Sequence, residues 1–229
     1  MQKLNVLSNG SGKLSANSTV SNVQQQTKAK IKRLAILAIF VSIELLLFFT
    51  PLGFVPVGPV NATTLHIPVI IAALLLGPTA GLSVGFVFGL LSLLKNTFNP
   101  TITSFVFSPF YSIGEIHGNL ASLWIVLGPR LILGLGTALL FRLCVKLWHK
   151  PALSAGFSAV VMTFMHTILV MSSIYIFFAK PYAQVRQAAP MTLFTVIGTV
   201  IALNGVMELL LACFCAIGFV KVVKPDWVK

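Results

Sequence analysis

The chain is poor in charge. Only 9% of its 229 residues are Asp, Glu, Lys or Arg, against about a quarter in an average soluble domain. Acidic residues are scarcest: Glu44, Glu115, Glu208 and Asp226. Sixteen basic and four acidic side chains cannot coat a globule of this size, which excludes a water-soluble fold. Cysteine is also scarce. Cys144, Cys213 and Cys215 are odd in number, lie in or beside apolar segments and lack metal-ligand spacing, so they read as helix residues and not as a disulfide framework. Enzyme signatures are missing too: no HExxH, no GxSxG, no GxxxxGK[ST] and no carboxylate pair at helical spacing. Without a nucleotide site the chain cannot hydrolyse ATP itself, and any active transport must draw its energy from elsewhere.

What is abundant is apolar. Hydrophobic residues make up 57% of the chain and mean hydropathy is +0.96. A spanning helix needs roughly 17–25 mostly apolar residues, and six candidates emerge, near 33–50, 63–77, 79–95, 120–147, 153–179 and 190–220, the second short and the fourth and sixth long enough for tilts or breaks. The expected fold is an all-α integral membrane protein of six transmembrane helices. Residues 1–27, rich in Ser, Asn, Gln and Gly, read as a disordered cytoplasmic tail. The membrane domain covers 28–222, and 223–229 form a C-terminal tail. A removable leader is not expected, because about thirty polar residues precede the first apolar segment and no small-residue cleavage site follows it.

The net charge of +12 would suggest nucleic-acid binding in a soluble protein. Here the basic residues cluster at segment ends and read as orientation anchors, with no nucleic acid involved. With the N-terminus inside, the inner side holds Lys28, Lys30, Lys32, Arg33, Arg142, Lys146, Lys150, Lys221, Lys224 and Lys229, and the outer side only Lys95, Lys180 and Arg186. Both termini are therefore expected in the cytoplasm. The segment 101–116 carries Pro109 and Gly114 and reads as a long loop folded over or into the bundle.

Polar residues inside apolar helices are costly, by about 2.5–3.5 kcal/mol for a mid-membrane charge on insertion scales, and so mark sites or partners. Arg130, in "LGPRLILGLG", lies about ten residues into the fourth segment. It either pairs with Glu44 or Glu208 or clamps an anionic group, since guanidinium matches a carboxylate bidentately. Pro129 before it is expected to break the helix and free backbone groups for binding. Glu208 and Asn204 share a face four residues apart. His66 and His166 read first as bonds to neighbouring helices. Glu115 and His117 in "GEIHG" give a faint metal hint without other ligands, and an enzyme built on them with His166 is the alternative from another class.

Gly81, Gly85 and Gly89 in "GLSVGFVFG" repeat every four residues, which lets a neighbouring helix approach closely. That neighbour is either within the same bundle or a separate membrane subunit. Ala38 and Ser42 offer the same spacing in the first segment, with Ala35 one turn earlier on an adjoining face. The stretch "PVGPVNATTLHIPVI" at 56–70 sets prolines beside Asn61, Thr63 and His66, between two apolar segments. Irregular backbone at membrane depth is tolerated only where protein buries it or where it lines a cavity.

The runs "TPLGFVPVGPVNATTLHIPVIIAALLLGPTAGLSVGFVFGLLSLLKN" at 50–96 and "PTITSFVFSPF" at 100–110 resemble the substrate-binding S components of energy-coupling factor (ECF) vitamin transporters, in the branch that includes pantothenate S components. The resemblance covers roughly 30–222. It implies a prokaryotic plasma-membrane protein that binds a small water-soluble vitamin with high affinity and topples in the bilayer. It also implies docking on a module of one transmembrane coupling subunit and two ATPases, with ATP used by those partners and no cofactor in this chain. A small-xxx-small pattern in the first helix would dock; Ala38 and Ser42 fit it, while Ala35 is three residues from Ala38. Long loops would cover an outward-side pocket, gathering Asn61, Thr63, His66, Asn96, Ser104, Phe107, Tyr111 and Arg130. Other vitamins of the family's range (hydroxymethylpyrimidine, folate, cobalamin) stay open.

Overall fold

The computed structural model describes the backbone of residues 2–57, 60–185, 198, 205–223, 225 and 227, and their side chains except at 2–22, 55–57 and 60–62. Its helices are α1 (Gln2–Phe49), α2 (His66–Leu76), α3 (Pro78–Phe98), α4 (Leu120–Trp148), α5 (Pro151–Val185) and α6 (Val206–Val222). Two small antiparallel hairpins, β1–β2 (Phe54–Val57, Val60–Thr63) and β3–β4 (Ser112–Ile113, Ile116–His117), interrupt the all-α expectation. A 3-10 turn covers Ser104–Val106. Residues 190–197 and 199–204 of the expected sixth segment, including Asn204, lie outside the described residues.

The chain divides into two compact units, residues 1–39 and 40–229. In the first, the helix runs back to Gln2 through the stretch that reads as a disordered tail. Residues 23–35 of that helix are all exposed.

In the second unit five helices close a ring: α3 packs on α2 and α4, α5 on α4 and α6, and α6 returns to α2. Of these, α3, α4 and α5 are long and apolar enough to cross a membrane. Helix α2 has only 11 residues, about half the length needed for a hydrocarbon core of about 30 Å. It starts at His66 because the preceding residues are committed to β2, and Pro68 fits its first turn, where an amide would lack a helical acceptor.

Glycine sets the tightest contact of the ring. A Cβ on Gly81 would strike the Gly134 carbonyl, one on Gly85 the Arg130 carbonyl, and one on Gly89 the Leu127 side chain. The Gly81–Gly85–Gly89 face is thus filled by α4 of the same chain. Of the two expected neighbours, this packing favours a helix of the same bundle over a separate subunit, since α4 occupies the groove that the missing side chains open. Ala35, Ala38 and Ser42 remain exposed.

One end of the ring is covered by loops. Asn96 caps the Ser92 carbonyl and accepts from Ser104 Oγ at 2.8 Å, Thr97 and Ser108 hydroxyls lie 2.7 Å apart, and Ser122 Oγ donates to the Phe105 carbonyl. These bonds hold the 99–119 segment down, so Phe105 and Val106 bury against Ile125, Val170, Ile174, Phe178 and Tyr182. The segment is the loop expected. At the opposite end Trp227 donates to the Leu74 carbonyl and stacks near Phe141.

Candidate functional site

Each helix of the ring sends one polar or aromatic side chain into a common neighbourhood: His66 from α2, Phe88 from α3, Arg130 from α4, His166 from α5 and Glu208 from α6. The Arg130 guanidinium lies over the Phe88 ring at 5.2 Å and the Phe107 ring at 5.8 Å. The His166 ring is 6.2 Å from that of Phe88. Glu208 acts electrostatically on Arg130, and Arg130 and His66 on His166.

Arg130 is 5% exposed. Its Nη1 donates to the Ile125 carbonyl at 2.6 Å, and its Nε has no partner. Helix α4 continues through Pro129 instead of breaking there. Proline removes the amide that would reach back four residues to Ile125, and the freed carbonyl is taken by Arg130 itself. The expected ion pairs are not formed: among the described residues no carboxylate bridges Arg130. Both Glu44 oxygens are buried without a hydrogen-bond partner, and Glu208 Oε1 accepts from the Thr63 amide at 2.9 Å.

That bond joins the loop stretch to the ring. The Thr63 carbonyl in turn meets His66 Nδ1 at 2.5 Å. A carbonyl only accepts, so Nδ1 carries the proton, and Nε2 is an acceptor whenever the ring is neutral. Below the hairpin, Thr64 Oγ1 donates to the Leu52 carbonyl, and Phe54 sits beside Phe48 and Lys95.

Several expected residues meet here and others do not. Thr63, His66, Phe107, Arg130 and Glu208 converge. Asn96 and Ser104 bond to each other and to the loop backbone, and Tyr111 packs half-buried against the Phe105 cluster. Asn61 pairs its backbone across from Pro56; its side chain, like Asn204, lies outside the described residues. Glu115 and His117 sit exposed on the β3–β4 hairpin while His166 is buried in α5, so those three form no cluster. Sequence reasoning missed Phe88 and passed over His166. The available signal for Phe88 was its place one turn after Gly85, on the face that approaches Arg130.

Three buried nitrogens in this neighbourhood lack partners: Arg130 Nε, His66 Nε2 and His166 Nε2. Buried polar atoms in a finished interior are normally paired. A ring presenting one cation, two imidazole nitrogens and two aromatic faces is equipped to hold a small polar anion (a guanidinium for a carboxylate, imidazole nitrogens for hydroxyl or amide groups).

Comparison with known proteins places the chain in a family. The family described as "ECF transporter, substrate-specific component" matches residues 32–220. "Pantothenic acid transporter PanT" of Lactococcus lactis subsp. cremoris (strain MG1363) is 34% identical over 188 residues, covering 81% of this chain and 90% of that protein. A family match over most of its length, in a chain with helices long and apolar enough to cross a membrane, makes this chain a member of the ECF transporter substrate-specific components, multi-pass proteins of the cell membrane.

Proposed function

We propose that the protein is the pantothenate-binding S component of an ECF importer. The observation that carries this reading is Arg130, a buried cation with no direct ion pair among the described residues, in a chain 34% identical to a pantothenic acid transporter. Pantothenate has one carboxylate, one amide and two hydroxyls. Its carboxylate would supply the directly bonded anion that Arg130 lacks, with the guanidinium held ready by Ile125 and lying over Phe88 and Phe107. Thr63 and Asn61 would meet the amide or hydroxyls as the hairpin closes the site.

In this reading the chain crosses the membrane six times, with both termini cytoplasmic and the hairpins facing outward, as the distribution of Lys and Arg favours. It carries no ATPase site. A coupling subunit and two ATPases supply the energy, Ala35, Ala38 and Ser42 contribute to docking, and the protein topples in the bilayer to deliver its ligand. A vitamin without a carboxylate would leave Arg130 without a directly bonded anion and, among the described residues, only Glu208 nearby, which disfavours the hydroxymethylpyrimidine alternative. Calorimetry on the purified protein tests the proposal: saturable binding of pantothenate is expected, and Arg130→Ala abolishes it while the fold survives.

A further inference from the structure

His166 has no part in the ring's own hydrogen bonding through Nε2, yet it stands 7% exposed in the same neighbourhood as Arg130. A lone membrane histidine usually finds a bond on an adjacent helix. This one has its Nε2 buried and idle. His66 is similar at 1% exposure: Nδ1 is committed to the Thr63 carbonyl, and Nε2 is buried without a partner.

Each idle nitrogen stands at the cost of an unmade hydrogen bond, roughly 1–3 kcal/mol for a buried polar atom. Two on separate helices, α2 and α5, are harder to attribute to chance packing than one. They also differ from Arg130 in kind. Arg130 can only donate, whereas His66 Nε2, with the proton on Nδ1, can only accept while the ring is neutral. A carboxylate, which only accepts, cannot satisfy it. A ligand hydroxyl can.

We infer that His66 and His166 form the hydroxyl-reading part of this site, through their buried and unpartnered Nε2 atoms, and that they select a carboxylate ligand that also carries hydroxyl groups. The inference rests on the proposed carboxylate-binding function and adds its specificity. Phe88 organises the division of labour: Arg130 lies over its ring and His166 packs beside it, so the carboxylate and hydroxyl groups of one ligand are read along one stretch of α3. A site built to bond a hydroxyl rejects the analogue that lacks it, because its own polar atoms are then left buried and bare.

The test compares two ligands by calorimetry on the full chain in detergent: pantothenate, and its analogue in which both hydroxyls are replaced by hydrogen. The wild type should bind pantothenate more tightly by about tenfold or more. His166→Phe keeps a ring against Phe88 and removes the nitrogens; it should weaken pantothenate by about tenfold and leave the analogue unchanged. His66→Gln should behave likewise in direction. Arg130→Ala should abolish binding of both ligands. If the wild type binds the two ligands equally, or if the histidine variants weaken both by the same factor, the hydroxyl assignment is overturned while the carboxylate reading stands. If the wild type binds neither ligand, the functional proposal falls and this inference falls with it. Should one histidine variant fail to fold, the other decides by the same comparison.

Discussion

The Arg130 guanidinium lies 2.6 Å from the Ile125 carbonyl oxygen, the acceptor that Pro129 deprives of its helical donor. Two costs, a proline inside a helix and a charge inside a membrane, offset one another in adjacent residues. The guanidinium gains a fixed anchor and the carbonyl a strong donor, while Nε is left unbonded.

Pro129→Ala should therefore loosen the site while firming the helix. The new amide can reach Ile125, competing with Arg130 for its carbonyl. Thermal stability should hold or rise, and pantothenate affinity should fall by about tenfold, the worth of a charge-assisted bond that pre-organises the clamp. Calorimetry and a melting curve on the same sample check both halves.

Arg130→Lys is not a conservative change at this position. Lysine retains the charge but loses the planar fork and the stacking on Phe88 and Phe107. Affinity should fall by at least about 1.5 kcal/mol, nearly as far as in Arg130→Ala, as measured by titration of each variant.

Gly85 holds α3 against the Arg130 carbonyl. Gly85→Leu should cost about 1–3 kcal/mol through overpacking, and Gly85→Ala should shift α4 enough to lower affinity. A melting temperature unchanged in Gly85→Leu would show that the helices are not in the contact described.

Ser104→Ala separates structure from binding. Ser104 accepts from the Thr101 amide and donates to Asn96 within the covering loop. Its loss should cost about 1 kcal/mol of stability with affinity within about twofold of wild type. Glu208→Gln keeps an acceptor for the Thr63 amide and should preserve affinity, whereas Glu208→Ala frees that peptide. The alanine variant should speed ligand release, followed by stopped-flow competition.

The sequence made the membrane class and the approximate extents of α3, α4 and α5 legible, because hydropathy and length are read directly from composition. It also exposed Arg130, since a charge in an apolar run is conspicuous. The partners of Arg130 were not legible. Ile125 becomes available only through the geometry of a proline four residues later, and Phe88 comes near only because Gly81 and Gly85 let α3 and α4 touch. The glycine repeat announced a close contact without saying with whom. Asn96 and Ser104 look like ligand groups in a polar loop, yet their hydrogen bonds close on each other. The short α2 read as a span because its apolar run merges with the residues before it, and only the β1–β2 pairing shows where helix begins.

The most direct measurement is calorimetric titration of the purified full-length protein with pantothenate. The account predicts saturable one-site binding of high affinity that disappears in Arg130→Ala while the variant melts like the wild type. Absence of pantothenate binding in a folded protein that binds a different vitamin tightly would contradict it.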